Sequence, residues 1–444
     1  MRHKYYLDEQ ADRSEIPNAF LVGIQHQQNS REEAEELLAE LSELVDTLGL
    51  PKVGSSMARL RAINPAFVTG SGKAQEIVEQ AKDADADVII IDDFLTPAQQ
   101  RNWEKLSELA VIDRQEVILD IFAARAQTNE ATLQIALAQA NYALPRLERK
   151  WTHLNRQRGM TGGFGGRAEG EQQLELDARQ IRNQISKLKK QLVEVRQQRD
   201  IQRSKRLRKP VPVAAIVGYT NAGKSSLLNT LTQATVLTEN KLFATLDPTV
   251  RRLELPGGLE LLLTDTVGFI RKLPHLLVEA FKSTLEETRL ADYIIEVIDA
   301  NSPNITEHHE TTQKVLEEIG AGRKPTIMVL NKIDLLPDTL TRRRLASLFP
   351  EAIAISAKTG EGLPQLVEEL ARQTTAVMTQ MQVLIPHTRY DVMKVIRRQC
   401  SVDEEKYAED GVFMRLLVPA NCQKLLEEFA CADEICQETG TGAC

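Results

Sequence analysis

A short apolar strand that runs into a glycine-rich turn and then a helix is the feature that most restricts the fold of this 444-residue chain. The strand is Val213-Ala214-Ala215-Ile216-Val217, and the helical pattern after the turn extends to Leu231. The turn itself is Gly218-Tyr219-Thr220-Asn221-Ala222-Gly223-Lys224-Ser225. Apolar strands that alternate with helices build parallel sheets covered by helices on both faces. The sequence therefore predicts a doubly wound α/β domain around this turn.

The turn has the Gly-x-x-x-x-Gly-Lys-Ser spacing of a phosphate-binding loop, or P-loop. Its glycines let the backbone wrap around phosphates, and the N–H groups at the start of the next helix point toward negative charge. Lys224 can reach the β- and γ-phosphates of a nucleotide, and the Ser225 hydroxyl can bind Mg²⁺. We expect all eight residues of the turn to bind nucleotide.

A second apolar strand, residues 261–263, leads into Asp265-Thr266-Val267-Gly268 about forty residues after the P-loop. Asp265 can hold the Mg²⁺ shell from the end of its strand, and the Gly268 N–H can sense the γ-phosphate. The Asp-x-x-Gly pattern alone is common in turns. Its place after a predicted central strand makes it a second phosphate-side element.

The choice of base follows from a third strand, residues 326–330, which leads into Asn331-Lys332-Ile333-Asp334. A carboxylate such as that of Asp334 can accept from both the N1–H and the exocyclic amine of guanine, which adenine cannot supply. The Lys332 stem can lie over the base. Ser356-Ala357-Lys358, after another apolar run, matches a loop that gives backbone N–H groups to the guanine oxygen. The sequence therefore predicts GTP and GDP as ligands.

Between these elements lies a polar turn suited to a mobile switch, Phe243-Ala244-Thr245-Leu246-Asp247-Pro248-Thr249. We expect residues 243–247 to contact the nucleotide. Thr245 is the candidate for a second hydroxyl on Mg²⁺, supplied when GTP orders the turn. Thr249 is the alternative, and both interpretations stay open.

Two positions refine the expected chemistry. Phe269 stands where many small GTPases place a water-orienting Gln, so no catalytic residue is assigned and hydrolysis by the chain alone should be slow. A partner or another residue must then position the water. Asn221 matches GTPases that use potassium beside the phosphates, which gives the hypothesis of K⁺ stimulation.

The remaining sequence predicts three further domains. Residues 1–115 alternate short apolar runs with amphipathic stretches, which indicates a small α/β domain. Residues 116–209 predict a long helical hairpin with a kink at Pro145 and a flexible glycine-rich tip at 159–170. Residues 210–375 are the expected GTPase domain. Residues 380–444 predict a small C-terminal α/β domain, with a strand at 412–418 and a helix after Pro419.

The second arm of the predicted hairpin is basic. Residues 171–209 contain neither Gly nor Pro. They carry an apolar heptad of Leu174, Ile181, Leu188 and Val195, interleaved with Ala178, Ile185 and Leu192. Between Arg179 and Lys209 twelve Lys or Arg residues stand against two acidic ones. A charge run of this kind is often only a solvated face. Because the excess has one sign, we favour a surface for RNA or another polyanion.

The overall composition excludes several classes. The net charge of −8 argues against a general nucleic-acid coat, and no apolar run is long enough for a membrane span. No secretory signal is expected, so the interpretation is a cytoplasmic protein, with a peripheral membrane fraction left open. The five cysteines lack zinc spacing, which favours reduced thiols. Gly70-Ser71-Gly72-Lys73 is half a phosphate loop and is interpreted as a turn before a helix.

With these motifs placed, the chain resembles the HflX family of translational GTPases along nearly all of its length. The stretches that carry the resemblance are residues 111–123, 133–147, the glycine-rich tip, 243–249 and 265–270. The resemblance implies a protein that binds the large ribosomal subunit and its RNA, inserts the hairpin toward the peptidyl-transferase region and dissociates stalled or idle ribosomes. We expect the protein to be a monomer. Some family members also bind ATP through the N-terminal domain.

The glycine-rich tip departs from the family pattern. Where the family usually has Arg-Gly-Pro-Gly-Glu, this chain has Arg167-Ala168-Glu169-Gly170-Glu171, without the proline and one glycine. The first functional hypothesis is a ribosome-dissociating GTPase. The second is a nucleotide-switched RNA-binding or ribosome-binding regulatory module without splitting activity. ATP-driven RNA remodelling by the N-terminal domain is a third.

Overall fold

The structure is a computed structural model that describes residues 16–157, 167–206, 211–232, 242–243, 249–272, 282–408, 410–418, 423 and 425–431. The backbone divides into two units. The first comprises Met1–Arg196, Glu239–Asp247 and Lys272–Lys282. The second comprises Gln197–Thr238, Pro248–Arg271 and Ser283–Cys444.

The first unit contains a four-stranded parallel sheet. Its strands are β1 (Ala19–Gln25), β2 (Lys52–Arg59), β3 (Val88–Ile91) and β4 (Ala110–Asp113), in the order β2-β1-β3-β4. The connecting helices are α1 (Arg31–Leu48), α2 (Ser71–Asp83) and α3 (Pro97–Ser107). Ile89 and Ile91 of β3 pack with Ile77 of α2 and Trp103 of α3. Burial along the whole of β3 explains its uninterrupted apolar sequence.

Local signals in the sequence set the starts of these helices. The Thr96 side chain accepts a hydrogen bond from the Gln99 backbone N–H, and Pro97 occupies the first turn of α3. Gly70 caps α2, and Ser71 to Lys73 form the first turn of that helix. The stretch that resembles half a phosphate loop is therefore an ordinary helix start.

Three helices follow: α4 (Arg114–Arg125), α5 (Asn129–Gln157) and α6 (Arg167–Arg206). The part of α6 from Gln197 onward is assigned to the second unit. α5 continues through Pro145 as one helix. Ala178, Ile185, Leu188 and Leu192 of α6 are buried, in agreement with the predicted apolar seam. Residues 158–166, most of the predicted tip, lie outside the described part of the chain.

The structure corrects two predicted bounds of the helical region. α6 begins at Arg167, so residues 167–170 are helical where a flexible tip was expected. Ala and Glu favour helix, and an adjoining long helix extends through a single glycine such as Gly170 at a modest cost. The predicted continuous helix from residue 116 is also interrupted, because residues 126–128 separate α4 from α5.

The second unit contains a six-stranded sheet in the order β10-β9-β8-β5-β7-β6. The strands are β5 (Val213–Val217), β6 (Thr249–Leu255), β7 (Leu259–Asp265), β8 (Tyr293–Asp299), β9 (Thr326–Asn331) and β10 (Ile353–Ala354). The helices are α7 (Lys224–Thr232), α8 (Lys282–Leu290), α9 (Ile305–Glu318), α10 (Thr339–Leu348) and α11 (Leu363–Ala376). All neighbouring pairs are parallel except the hairpin of β6 and β7. The predicted doubly wound α/β fold is confirmed.

A three-stranded antiparallel sheet completes the second unit. β11 (Thr379–Ile385), β13 (Gly411–Val418) and β12 (Ser401–Ala408) pair in that order, and α12 (Tyr390–Gln399) packs Ile396 against Val383 and Met414. The predicted strand at 412–418 is therefore present. Of the helix predicted after Pro419, residues 419–422 and 424 lie outside the described residues. Among the helices that the structure describes, none is long and apolar enough to cross a membrane.

Candidate nucleotide-binding site

The P-loop connects β5 to α7 in the conformation that its glycines permit. Gly218 and Gly223 have φ angles of 144° and 93°, which side chains rarely adopt. A Cβ on Gly218 would collide with the Val297 carbonyl, and one on Gly223 would collide with the Asn331 side chain. Asn221 also has a positive φ of 61°, which Asn tolerates better than most residues. The fold therefore needs glycine at both motif positions, independently of any ligand.

Lys224, the first residue of α7, is buried inside the loop. Its Nζ donates to the Gly218 carbonyl at 3.2 Å and to the Tyr219 carbonyl at 2.8 Å. Burial lowers the pKa of Lys224 to about 8, while the nearby Asp265 acts in the opposite direction. A buried ammonium whose hydrogen bonds go to backbone carbonyls is stabilised further when an anion binds at the loop. Phosphate oxygens fit that requirement.

Ser225 and Asp265 meet beside the loop. The Ser225 hydroxyl donates to Asp265 Oδ2 at 2.6 Å, and Asp265 is fully buried at the end of β7. The neighbouring Thr266 hydroxyl donates to the Ile216 carbonyl at 2.7 Å, which fixes the chain as it leaves the strand. A hydroxyl and a carboxylate are oxygen ligands that suit Mg²⁺. These two residues could hold that ion directly or through its waters.

The segment after β7 lies directly on the P-loop. Phe269 donates its backbone N–H to the Gly218 carbonyl at 3.1 Å, and its own carbonyl accepts from the Thr220 N–H at 2.8 Å. A Cβ on Gly268 would lie 2.7 Å from Thr220 Cα and 2.9 Å from Lys224 Nζ. The Gly268 backbone is thus close to the P-loop lysine because it carries no side chain.

The base-side loops are linked to the P-loop through Asn331. Its amide donates to the Ala222 carbonyl at 2.9 Å and its side-chain oxygen accepts from the Ala357 N–H at 3.0 Å. The Ser356 hydroxyl donates to Asp334 Oδ1 at 2.6 Å. One buried amide therefore holds the loops after β9 and β10 against the phosphate side.

The parallel strands bring the four motifs to one edge of the second unit's sheet. β5, β7, β9 and β10 end at the segments Gly218–Ser225, Asp265–Gly268, Asn331–Asp334 and Ser356–Lys358. Ligands of doubly wound sheets bind at this carboxyl edge of the strands.

Comparisons with known proteins agree with this arrangement. Four family models match successive parts of the chain: GTP-binding GTPase N-terminal over residues 35–123, GTP-binding GTPase Middle Region over 125–206, 50S ribosome-binding GTPase over 213–332, and HflX C-terminal domain over 343–425. The GTPase HflX of Akkermansia muciniphila is 45% identical over 423 residues, covering 93% of this chain and 97% of the relative.

This chain belongs to the HflX family of GTPases. The GTPase HflX of Escherichia coli strain K12 is also similar, at 44% identity over 377 residues that cover 85% of this chain and 88% of that protein. Among solved structures, a GTP-binding protein of Sulfolobus solfataricus in complex with GDP is 26% identical, with a TM-score of 0.43 over 81% of this chain and 99% of that one. The family models and the HflX relatives show that the chain is a P-loop GTPase.

The switch residues predicted for this HflX-family chain are only partly described. Ala244, Thr245, Leu246 and Asp247 lie outside the described residues. Phe243 is buried with a φ of 55°, and its ring packs edge-on against Phe122 at a centroid distance of 4.6 Å. Thr249 begins β6 opposite Asp265. The choice between Thr245 and Thr249 as a Mg²⁺ ligand stays a prediction.

Three contributions at the site were not predicted from the sequence. Lys332 Nζ forms a 2.7 Å ion pair with Asp299 at the end of β8, which holds the lysine at the base-side edge. The Tyr219 ring stacks on His308 of α9, and the Tyr219 hydroxyl accepts from the Arg271 N–H. Asp299 could have been suspected, because it ends a central strand beside the P-loop strand. Nothing in the local sequence points to His308.

Proposed function

We propose that this GTPase binds the large ribosomal subunit and uses its nucleotide state to dissociate stalled or idle ribosomes. The observation that carries the proposal is the charged face of α6. Its apolar side chains are buried at Ile185, Leu188 and Leu192, whereas the neighbouring Lys187, Lys189 and Lys190 are exposed. A long helix that turns a row of cations to solvent suits an RNA surface. The family model described as a 50S ribosome-binding GTPase supports the same partner.

Five segments are proposed to bind GTP and GDP. They are Gly218 to Ser225, Phe243 to Asp247, Asp265 to Gly268, Asn331 to Asp334 and Ser356 to Lys358. Within this set Lys224 binds phosphate oxygens, Asp334 recognises the guanine edge and Ser225 binds Mg²⁺, with Asp265 in the surrounding shell and Thr245 as a further hydroxyl. K⁺ beside Asn221 is part of the proposal.

GTP hydrolysis sets how long the protein stays bound to the ribosome; its products are not the purpose of the reaction. Phe269 is 2% exposed and has no group that can orient water, so we propose slow turnover alone and stimulation by the ribosome. We also propose the division into an N-terminal α/β domain, a helical hairpin, a GTPase domain and a C-terminal domain at residues 1–115, 116–209, 210–375 and 380–444. The hairpin is then the part that reaches into the ribosome.

Sucrose-gradient sedimentation tests the proposal. Whole ribosomes incubated with the protein and GTP should convert to subunits. Binding to the large subunit without conversion would instead support the regulatory module. Deletion of residues 159–170 should abolish conversion and leave GTP binding intact, and conversion that survives the deletion would contradict the hairpin model.

A charge-reversal variant tests the RNA surface. Lys187→Glu, Lys189→Glu and Lys190→Glu together should weaken binding to the large subunit and reduce the dependence of binding on salt, because each cation that contacts a phosphate releases a counterion. The triple Arg variant at the same positions keeps the charge and is the matched control. Equal binding by the Glu and Arg variants would remove this surface from the proposal.

A further inference from the structure

α9 presents three consecutive side chains to three different parts of the GTPase sheet and its loops. Glu307 pairs with Arg271 at 2.8 Å, and the His308 ring stacks on Tyr219. His309 Nδ1 lies 2.8 Å from Glu296 Oε1, on the central strand β8. Neighbouring helix residues point in different directions, so the start of α9 contacts the segment after Gly268, the P-loop and the sheet together.

The stack between His308 and Tyr219 is close and parallel. The ring centroids are 3.8 Å apart and the ring planes differ by 7°. His308 Nδ1 lies 3.3 Å from the Ser302 hydroxyl, which limits rotation of the imidazole. Only 6% of Tyr219 is exposed, so this aromatic residue of the P-loop is almost enclosed. The stack fixes the direction in which the Tyr219 hydroxyl points.

That hydroxyl holds the chain after Gly268. It accepts a hydrogen bond from the Arg271 backbone N–H at 2.8 Å, while the Arg271 guanidinium reaches Glu307. Phe269 makes its two backbone hydrogen bonds to the P-loop just before this point. Gly268 therefore lies between the fixed end of β7 and a segment that Tyr219 and Glu307 both hold.

The anchoring of α9 makes these contacts rigid. Glu296 is fully buried. Its carboxylate accepts a hydrogen bond from the Gln313 side-chain amide at 2.8 Å and forms another with the His309 ring. Its carboxylate raises the pKa of His309, chiefly through the hydrogen bond between them. A helix tied to the central strand through two side chains cannot shift without breaking a buried network. His308 is therefore held at a fixed distance from the P-loop.

We propose that His308 is a positioning residue for GTP: by stacking on Tyr219 it holds the Gly268–Arg271 segment where the Gly268 N–H can meet a γ-phosphate. GDP lacks the γ-phosphate, so its binding does not depend on the position of the Gly268–Arg271 segment. Loss of the stack should therefore weaken binding of a GTP analogue and slow hydrolysis, while GDP binding stays unchanged. A residue that merely stabilised the domain would affect both nucleotides alike.

The test compares His308→Ala with His308→Phe in the full-length chain. Dissociation constants for GDP and for a non-hydrolysable GTP analogue, and single-turnover hydrolysis rates, are measured with Mg²⁺ present. The Ala variant should lose about five- to tenfold in analogue affinity and hydrolysis, the scale of one aromatic contact, with GDP affinity within about twofold of the parent. The Phe variant keeps a stacking ring and should recover most of the loss.

Two further variants separate the stack from the hydroxyl and from the helix. Tyr219→Phe keeps the ring but removes the acceptor for the Arg271 N–H, so it should reproduce the loss in analogue affinity and hydrolysis. Lys314→Ala, exposed on the same helix, should behave as the parent protein. Equal losses for GDP and the analogue in His308→Ala, no loss for either, or no recovery with Phe would each overturn the proposal.

Discussion

The Asn331 side-chain amide donates a hydrogen bond to the Ala222 carbonyl over 2.9 Å, which joins the strand on the base side to a P-loop residue 109 positions earlier. The same side chain accepts from the Ala357 N–H. Asn331 is 2% exposed, so water cannot replace either partner. The phosphate and base sides of the site are consequently held in one spacing by a single amide.

Asn331→Ala should weaken the binding of both GTP and GDP. It leaves a buried carbonyl and a buried N–H without their partner, which costs about 2–4 kcal/mol in stability and lets the two loops separate. We expect GTP and GDP affinities to fall together by at least about tenfold, measured by titration calorimetry. Asn301→Ala, at an exposed position after β8, is the control. Unchanged affinity for both nucleotides would show that the link does not set the site.

Asp334→Asn should exchange the base that the site accepts. A carboxylate accepts two hydrogen bonds from guanine. A side-chain amide offers one acceptor oxygen and one NH2 donor group, which suits the N1–H and the second carbonyl of xanthine. We expect GTP affinity to fall by about 100-fold or more and xanthosine triphosphate to bind instead. Competition with labelled GTP measures both. If the variant binds GTP like the parent, Asp334 does not recognise guanine.

Lys224→Met should reduce GTP affinity without reducing the thermal stability of the nucleotide-free protein. Methionine has nearly the length of lysine but leaves no ammonium to bury, so the thermal midpoint of the nucleotide-free protein should not fall. GTP affinity should fall by more than about 100-fold, because a charge-assisted contact to the phosphates is lost. Lys314→Met is the exposed control. A large drop in the thermal midpoint would mean that Lys224 stabilises the loop itself.

Glu116 should make the stability of the first unit depend on pH. Burial, and then the charges of Asp113 and Asp120, raise the pKa of Glu116 from 4.5 to about 8. Between those two values the folded chain keeps a proton that the unfolded chain releases, so the free energy of unfolding falls as the pH rises.

Glu116→Gln removes this titration and keeps a group that can hydrogen-bond to Tyr142, the residue whose hydroxyl donates to Glu116 at 3.0 Å. The variant should be more stable than the parent at pH 8 by about 4 kcal/mol, and within about 1 kcal/mol of it near pH 5. Denaturant unfolding followed by tryptophan fluorescence reports this unit, because Trp103 and Trp151 are the two tryptophans of the chain. The exposed Glu79→Gln should leave the pH profile of the parent. A parallel profile for Glu116→Gln would contradict the prediction.

The sequence alone established the class of the second unit and the position of the motifs along it. A strand, a glycine loop and a helix are encoded within about twenty residues, and their backbone requirements are local. The conformations of Gly218 and Gly223 could be expected because a P-loop demands them. The apolar heptad of α6 could also be predicted from the sequence, because helical periodicity depends only on the spacing of residues.

Other features depended on the packing of distant segments. The antiparallel pairing of β6 follows from which strand it meets, and residue patterns do not specify that neighbour. Sequence placed Asn331 in a guanine motif, but only the fold brought it to Ala222.

Sequence by itself therefore determined which chemical groups this chain carries in its GTPase motifs, and that these motifs stand at strand ends. The tertiary structure decided which of those groups touch, including the stack of His308 on Tyr219 and the ion pair of Lys332 with Asp299. The physical reason is the distance along the chain over which each kind of interaction acts. Backbone dihedrals and periodicity act over a few residues, whereas a stack or a buried hydrogen bond joins side chains whose separation is fixed only after the sheet has assembled.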